Sequence, residues 1–283
     1  MDAFDQDRAW QFLLKQVSFG PRVPGTKAHK DCRDWIASEM KKVADDVQFQ
    51  EFTHTWSQRG EVKTMWNIVA TQNWEKAKTR VVLLAHWDSR PFADQEYEVA
   101  KARKPIDGAN DGASGVAVLI EAARVLKFTK DKDLGIMYLF TDGEDLGPGL
   151  NEMFLGAEHF AKNLVPPKPD YGILLDMIGD KDLRIPMEPN SKEAAPKVLD
   201  AFYRYAQTTK HAKTFPMMDG PEILDDHLAL NKAGIPTIDL IDFDYPEWHT
   251  LGDTPDKCSA ESLGKVGDVL TGFVGQKPPF TGK

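Results

Sequence analysis

The chain has 283 residues, a formal net charge of −9 at pH 7, 41% hydrophobic residues and 28% charged residues. This composition is ordinary for a globular protein, and α/β folds of this length are often single domains. The acidic charge and the lack of a Lys/Arg stripe argue against a nucleic-acid partner, and no apolar run is long enough for a membrane helix.

Apolar periodicity predicts helices and strands that alternate along the sequence. In sequence order we expect helices at 5–18 and 27–43, strands at 47–55, 63–71 and 80–86, a helix at 116–126, a strand at 134–141, a helix at 156–163, a strand at 171–176, helices at 192–208 and 225–233, a strand at 236–241 and a helix at 259–275. The alternation favours one α/β domain over residues 1–283 with a mixed sheet.

The strand predicted at 134–141 is followed directly by Asp142-Gly-Glu144-Asp145. Open α/β sheets bind ligands at the carboxyl edge, where adjacent carboxylates repel each other unless a cation or a shared proton compensates. The pair Glu144 and Asp145 therefore indicates a metal ligand beside a proton carrier. A helix start with a capping Asp and a first-turn Glu would explain the same residues equally well.

Four other segments carry side chains that can bind metals, namely His86, Asp111, Asp176 and His249. Each has an ordinary structural explanation when taken alone, such as a core histidine, a helix cap or a turn residue. Because strand ends at one edge of a parallel sheet lie close together, these residues can converge on one pocket. Mixed carboxylate and imidazole ligands suit Zn²⁺, with Glu144 as the neighbouring general base and acid.

The order of these motifs resembles the zinc aminopeptidase superfamily. The motifs that carry the resemblance are His86-Trp-Asp88, Gly108-Ala-Asn-Asp111-Gly-Ala-Ser-Gly115, Asp142-Gly-Glu144-Asp145, Leu175-Asp176 and Trp248-His249-Thr250, with Phe19-Gly-Pro-Arg22 and Gly234-Ile-Pro236 in agreement. Within the superfamily the protein is most similar to glutaminyl-peptide cyclotransferases (glutaminyl cyclases), in particular bacterial enzymes of the animal-like type. The resemblance covers roughly residues 19–275. It implies a single-domain three-layer α/β/α sandwich with a central mixed, mostly parallel sheet, on which helices of residues 1–45 pack.

Three features are similar to cyclases rather than aminopeptidases. They are the long segment 147–154 after the acidic pair, Trp248 before His249, and the acidic segment Ile223-Leu-Asp225-Asp226-His227. The resemblance implies zinc ligands Asp111, Asp145 and His249, catalytic residues Glu144, Asp176 and Asp225, and substrate-binding residues Trp248, Ile223, Leu224 and Phe154. Two departures from the family pattern are Asp145, where Glu is usual, and the absence of a Trp from segment 147–154, which offers Met153 and Phe154 instead.

The implied activity is zinc-dependent conversion of N-terminal Gln in peptides and proteins to pyroglutamate with release of ammonia, with one Zn²⁺ per protein molecule. The alternative is a two-metal aminopeptidase, in which His86 and Asp176 would complete a second metal site instead of supporting the first. A third alternative is an inactive binding module on the same fold, but every ligand is present.

We also expect a monomer without a membrane helix, periplasmic or secreted after removal of a signal peptide, although this sequence shows no such signal. The only cysteines are Cys32 and Cys258, which lack zinc-ligand spacing and could form one disulfide or remain two buried thiols.

Overall fold

The computed structural model, which describes residues 3–129 and 131–276, places a six-stranded mixed sheet between two layers of helices. The elements in sequence order are α1 (Gln6–Val17), α2 (Lys27–Met40), β1 (Asp46–Trp56), β2 (Glu61–Gln72), β3 (Thr79–His86), α3 (Val99–Ala102), α4 (Ala113–Leu126), β4 (Leu134–Thr141), α5 (Leu155–Lys162), β5 (Tyr171–Asp176), α6 (Pro189–Ala194), α7 (Pro196–Gln207), α8 (His227–Lys232), β6 (Thr237–Ile241) and α9 (Ala260–Gly275). The predicted α/β fold class is confirmed.

The strands lie in the order β1-β2-β4-β3-β5-β6. β1, β2 and β4 pair antiparallel, whereas β4, β3, β5 and β6 run parallel to one another. In the parallel part His86 pairs with Thr141, and Asp176 pairs with Ile241. The carboxyl ends of β3, β4, β5 and β6 therefore lie at one edge of the sheet. This is the arrangement that we expected from the acidic and histidine residues at the ends of the predicted strands.

Alternate residues of β3 enter two hydrophobic cores, because successive side chains of a strand point to opposite faces. Val81 and Leu83 pack with residues of α1, α2, α4, α7 and α9 in the larger core. Val82 and Leu84 pack with residues of α5 in the smaller core on the other face. A strand buried on both faces has apolar residues at nearly every position, which explains the continuous apolar runs in the sequence.

The helix predicted at 192–208 is two helices, α6 and α7, and this prediction was wrong. Ala195 has a non-helical backbone (φ −131°, ψ 47°), and Pro196 begins α7 as its first residue. Proline has no N–H to donate and disfavours a helical conformation in the residue before it, so a continuous helix cannot pass this point. A short helix, α3, also lies between β3 and α4, where we predicted no helix.

Both cysteines of the described segments, Cys32 and Cys258, are buried and free, which decides against the disulfide alternative. Burial raises the pKa of the Cys32 thiol to about 12. Within residues 3–129 and 131–276, no helix combines the length and apolar character needed to cross a membrane.

Candidate active site

A cavity of about 400 Å³ opens at the carboxyl edge of the parallel strands. Nearly all of the predicted site residues line it, namely Asp111, Glu144, Asp145, Phe154, Asp176, Ile223, Leu224, Asp225, Trp248 and His249. The remaining one, His86, is buried and contacts the cavity residues Asp111 and Asp176. The structure thus brings together side chains that are distant in the sequence.

Neither Asp111 nor the pair Glu144 and Asp145 is the cap residue of a helix. α5 begins at Leu155, well after Glu144 and Asp145, and the cap residue of α4 is Gly112 rather than Asp111. Gly112 has a φ of +90°, and a Cβ at this position would lie 2.9 Å from the backbone oxygen of Asp88. The glycine therefore allows the backbone to turn tightly between Asp111 and α4.

Asp111, Asp145 and His249 offer ligand atoms that all lie within 4.8 Å of one another. His249 Nε2 is 3.4 Å from Asp145 Oδ1 and 3.6 Å from Asp111 Oδ2, and its Nδ1 is 3.1 Å from Asp94 Oδ1. The Asp94 contact orients the ring so that Nε2 faces the two carboxylates, as is usual for a metal-binding histidine.

The surroundings of this group favour a cation. Among the described residues, the buried Oδ2 atom of Asp145 has no hydrogen-bond partner. Burial lowers the pKa of His249, but Asp145, Asp94 and Asp111 outweigh that effect and raise the pKa to about 9. Two carboxylates and one imidazole are a ligand set that Zn²⁺ accepts while it keeps a coordination position open.

A second group, His86, Asp111 and Asp176, also has ligand atoms within 4.8 Å of one another and shares Asp111 with the first. His86 Nε2 lies 3.0 Å from Asp111 Oδ1 and 3.2 Å from Asp176 Oδ1. His86 Nε2 thus contacts both carboxylates, whereas its buried Nδ1 has no hydrogen-bond partner among the described residues. The three side chains also have a composition that could bind a second metal.

Glu144 is buried beside the first group, with its Oε2 3.7 Å from His86 Nδ1. Burial raises the pKa of Glu144 well above its usual range, and the carboxylates of Asp145 and Asp225 raise it further, against the opposing effect of His86. Asp225 is also buried, and burial together with nearby carboxylates raises its pKa. Carboxyl groups with raised pKa values in a cavity are suited to accept and return protons near neutral pH.

Two further aspartates hold the backbone of the site in place. Asp88 accepts hydrogen bonds from the backbone N–H groups of Glu144 and Asp145, both at 3.2 Å. Asp253 accepts from the N–H groups of Asn110 (2.8 Å) and Asp111 (3.1 Å). Asp88 belongs to a motif that we recognised, whereas Asp253 was missed because its partners are more than 140 residues away in the sequence.

Arg90 is a second residue that the sequence did not indicate. Its guanidinium group donates to Asp145 Oδ1 at 2.6 Å and also binds Asp94. Arg90 therefore engages the same oxygen of Asp145 that lies nearest to His249, and Oδ2 is the Asp145 oxygen that has no hydrogen-bond partner among the described residues. A fixed cation beside this carboxylate also offsets part of the repulsion between the acidic residues.

One wall of the cavity is apolar. The Trp248 ring stacks on the His249 ring, with a centroid distance of 3.9 Å and an interplanar angle of 24°, and Phe243 packs against Trp248 at 5.0 Å. Ile223 packs with Trp248, and Leu224 also lines the cavity. The site thus combines a charged floor with an apolar side that can contact the aliphatic part of a substrate.

Comparison with known proteins identifies the family. Residues 67–274 match the profile of peptidase family M28. The chain belongs to this family. The M28 protein is 29% identical over 261 residues to a glutaminyl-peptide cyclotransferase of Drosophila melanogaster, an alignment that covers 82% of this chain and 70% of the relative.

Solved structures of this M28 protein's relatives have nearly the same fold. A glutaminyl cyclase of Tannerella forsythia is 35% identical, with a TM-score of 0.92 and coverage of 98% of this chain and 100% of that one. A protein of Bacteroides thetaiotaomicron described as a leucine aminopeptidase precursor is 34% identical, with a TM-score of 0.92 and coverage of 98% of each protein. The predicted resemblance to bacterial glutaminyl cyclases is confirmed.

Proposed function

We propose that this M28 family member is a zinc-dependent glutaminyl-peptide cyclotransferase, which converts N-terminal Gln of peptides and proteins to pyroglutamate and releases ammonia. The observation that carries the proposal is the buried Glu144 carboxyl beside the group Asp111, Asp145 and His249, at the floor of a cavity with Trp248 on its wall. Its curated and structural relatives named as cyclases support the same function.

The zinc ligands in this proposal are one oxygen each from Asp111 and Asp145 and Nε2 of His249. Asp145 Oδ2 is available because Arg90 engages the other oxygen. Zn²⁺ bound there would polarise the γ-carbonyl of the substrate Gln and stabilise the developing oxyanion. We propose one zinc per protein molecule because the nucleophile in this reaction is the amine of the substrate, so no second metal is needed to activate a water molecule.

The nucleophile belongs to the substrate. Its N-terminal amine attacks the γ-carbonyl carbon of the same Gln and forms the bond that closes the five-membered lactam. The bond from that carbon to the amide nitrogen of the Gln then breaks and releases ammonia. Glu144 accepts the proton that the amine loses and returns it to the departing nitrogen. Asp176 and Asp225, which line the same cavity, would accept hydrogen bonds from the amine and orient it.

Binding of the substrate Gln would use the apolar wall. Trp248 offers a flat indole surface that is held by stacking on His249, and an aromatic ring of this kind packs well against methylene groups and an amide. Phe154, Ile223 and Leu224 would contact the substrate residues that follow the N-terminal Gln. These contacts would displace water from around the reacting carbonyl.

Incubation with Gln-initiated and Leu-initiated fluorogenic peptides tests the proposal. Release of ammonia with pyroglutamate from the first substrate alone supports the cyclase. Hydrolysis of the Leu-initiated substrate would instead support an aminopeptidase, for which the second group of His86, Asp111 and Asp176 provides a structural basis. Metal analysis is an independent check, because one zinc per protein molecule fits the cyclase and two fit the peptidase.

A further inference from the structure

The segment 147–154, which we call the cavity loop, forms part of the cavity mouth. Pro148, Leu150, Met153 and Phe154 line the cavity. The loop closes on itself through a hydrogen bond from the Gly147 N–H to the Glu152 carbonyl (3.0 Å) and a 3₁₀ turn over Leu150–Glu152. It supplies apolar contacts and no group that accepts or donates a proton in the proposed reaction.

The opposite side of the cavity loop is anchored to the hairpin of β1 and β2. Glu152 is only 2% exposed, its Oε2 is 2.6 Å from His54 Nε2, and its Oε1 accepts the Ser57 N–H at 3.1 Å. Trp56 Nε1 donates to the Gly147 carbonyl at 2.8 Å. Both ends of the loop are therefore tied to the same hairpin.

The Glu152 carboxylate is well suited to this anchoring role. Burial works to raise the pKa of Glu152, but hydrogen bonds from Ser57 and His54 outweigh it and hold the pKa below its usual range. The group therefore stays ionised, and charge-assisted hydrogen bonds are shorter and stronger than neutral ones. His54 is partly exposed, so the contact lies at the outer edge of the hairpin.

We propose that Glu152 is a positioning residue, which together with His54 and the Ser57 amide holds the cavity loop where it can contact substrate. Loss of the contact should let the loop move and weaken substrate binding. It should affect substrate binding more than proton transfer, because Asp88 and Asp253 hold the backbone N–H groups of Glu144 and Asp111, and the loop contacts Glu144 only at its far end, where the Phe154 N–H donates to the Glu144 carbonyl at 2.9 Å. The expected effect on KM rests on the proposed cyclase function.

The kinetic test uses Glu152→Ala, His54→Ala and the double variant. We expect Glu152→Ala to raise KM about tenfold with kcat within about twofold, which is the pattern of lost uniform binding. His54→Ala should raise KM less, because the Ser57 N–H still binds Glu152. The double variant should match Glu152→Ala rather than multiply the two effects, because both changes remove the same contact. His54→Gln, which can still donate to Glu152, should restore most of the affinity.

Asp268→Ala is the matched control, because it removes another His–carboxylate contact, 3.0 Å between Asp268 Oδ2 and His211 Nε2, outside the cavity lining. Its KM should stay at the wild-type value. A KM unchanged in both Glu152→Ala and His54→Ala, or raised equally in the Asp268→Ala control, overturns the proposal. A fall in kcat at constant KM overturns it as well.

Hydrogen exchange followed by mass spectrometry provides a readout that does not depend on turnover. Peptides that cover 147–154 should exchange faster in Glu152→Ala and His54→Ala than in the wild type and in Asp268→Ala. Unchanged exchange in both loop variants contradicts the positioning role, even if the enzyme is a cyclase. Faster exchange in a protein that does not turn over Gln substrates would support the anchor and refute the proposed function.

Discussion

Replacement of Glu144 by Gln removes the proposed proton acceptor and keeps the shape of the side chain. General acid–base catalysis by one positioned group contributes about 10²–10⁴ in rate. In this structure Glu144 would serve both proton transfers, so we expect kcat to fall by a factor near the upper end, about 10⁴, which corresponds to about 5 kcal/mol of transition-state stabilisation. KM should change little, since the apolar wall is intact.

The same change should not destabilise the fold. Glu144 is 6% exposed, and the carboxylates of Asp145, Asp225 and Asp226 all disfavour its charge. A neutral amide removes this repulsion, which we expect to be worth on the order of 1 kcal/mol and thus to raise the melting temperature by about 2–4 °C. Residues that serve function at the expense of stability typically give variants of this kind, which are inactive and at least as stable as the wild type.

The assays are ammonia release from a Gln-initiated peptide, differential scanning calorimetry, and zinc content after dialysis. Zinc should remain bound to Glu144→Gln, because Asp145 is the proposed ligand. Asp145→Asn is the comparison variant; it should lose zinc affinity and weaken the contact with Arg90, because its amide oxygen accepts a hydrogen bond but carries no charge. Activity of Glu144→Gln within tenfold of the wild type refutes the proton-transfer role, and loss of its zinc would mean that the roles of Glu144 and Asp145 are reversed.

Three other expectations concern separate parts of the molecule. Trp248→Ala should raise KM about tenfold because a stacked aromatic contact is lost, whereas Trp248→Phe should retain most of the affinity; equal KM values in steady-state kinetics would contradict this. Cys32 and Cys258 are buried, so neither should react with a thiol reagent until guanidinium unfolds the protein; rapid labelling of the native protein would show the burial to be wrong. Burial raises the pKa of Asp242 to about 6, above the value of about 4 in the unfolded state. Its protonated carboxyl therefore contributes stability that is complete below about pH 4 and is lost as the pH rises to about 6. Asp242→Asn should flatten this decline in urea unfolding experiments, and an unchanged slope would argue against the raised pKa.

Most of the fold could be predicted because strand signals in this sequence are strong. β4 and β5 were predicted at their observed bounds, since each is an uninterrupted apolar run that ends in a polar turn. The break between α6 and α7 could also have been read from Pro196, but the helical periodicity on both sides of it concealed the interruption. Sequence periodicity measures which face is apolar and is insensitive to a single lost hydrogen bond.

The site residues that lie at strand ends could be predicted from the sequence. The residues whose roles depend on contacts between distant segments could not. Asp142 begins the acidic motif but turns to His29 of α2, at 2.8 Å, and to the Trp66 N–H. Glu144 and Asp145 remain at the cavity. The contacts of Arg90 and Asp253 join distant loops, and a local pattern carries no information about such pairs.

The most direct test of the proposed activity is mass spectrometry of a single synthetic peptide that begins Gln-Leu, before and after incubation with the zinc-loaded protein. A cyclase leaves the peptide at full length with the mass of one ammonia lost and the N-terminus blocked. Protein treated with a chelator, and Glu144→Gln, should leave the peptide unchanged over the same time. A product shortened by its N-terminal Gln would contradict the account, because it would show that the proton accepted by Glu144 comes from water rather than from the substrate amine.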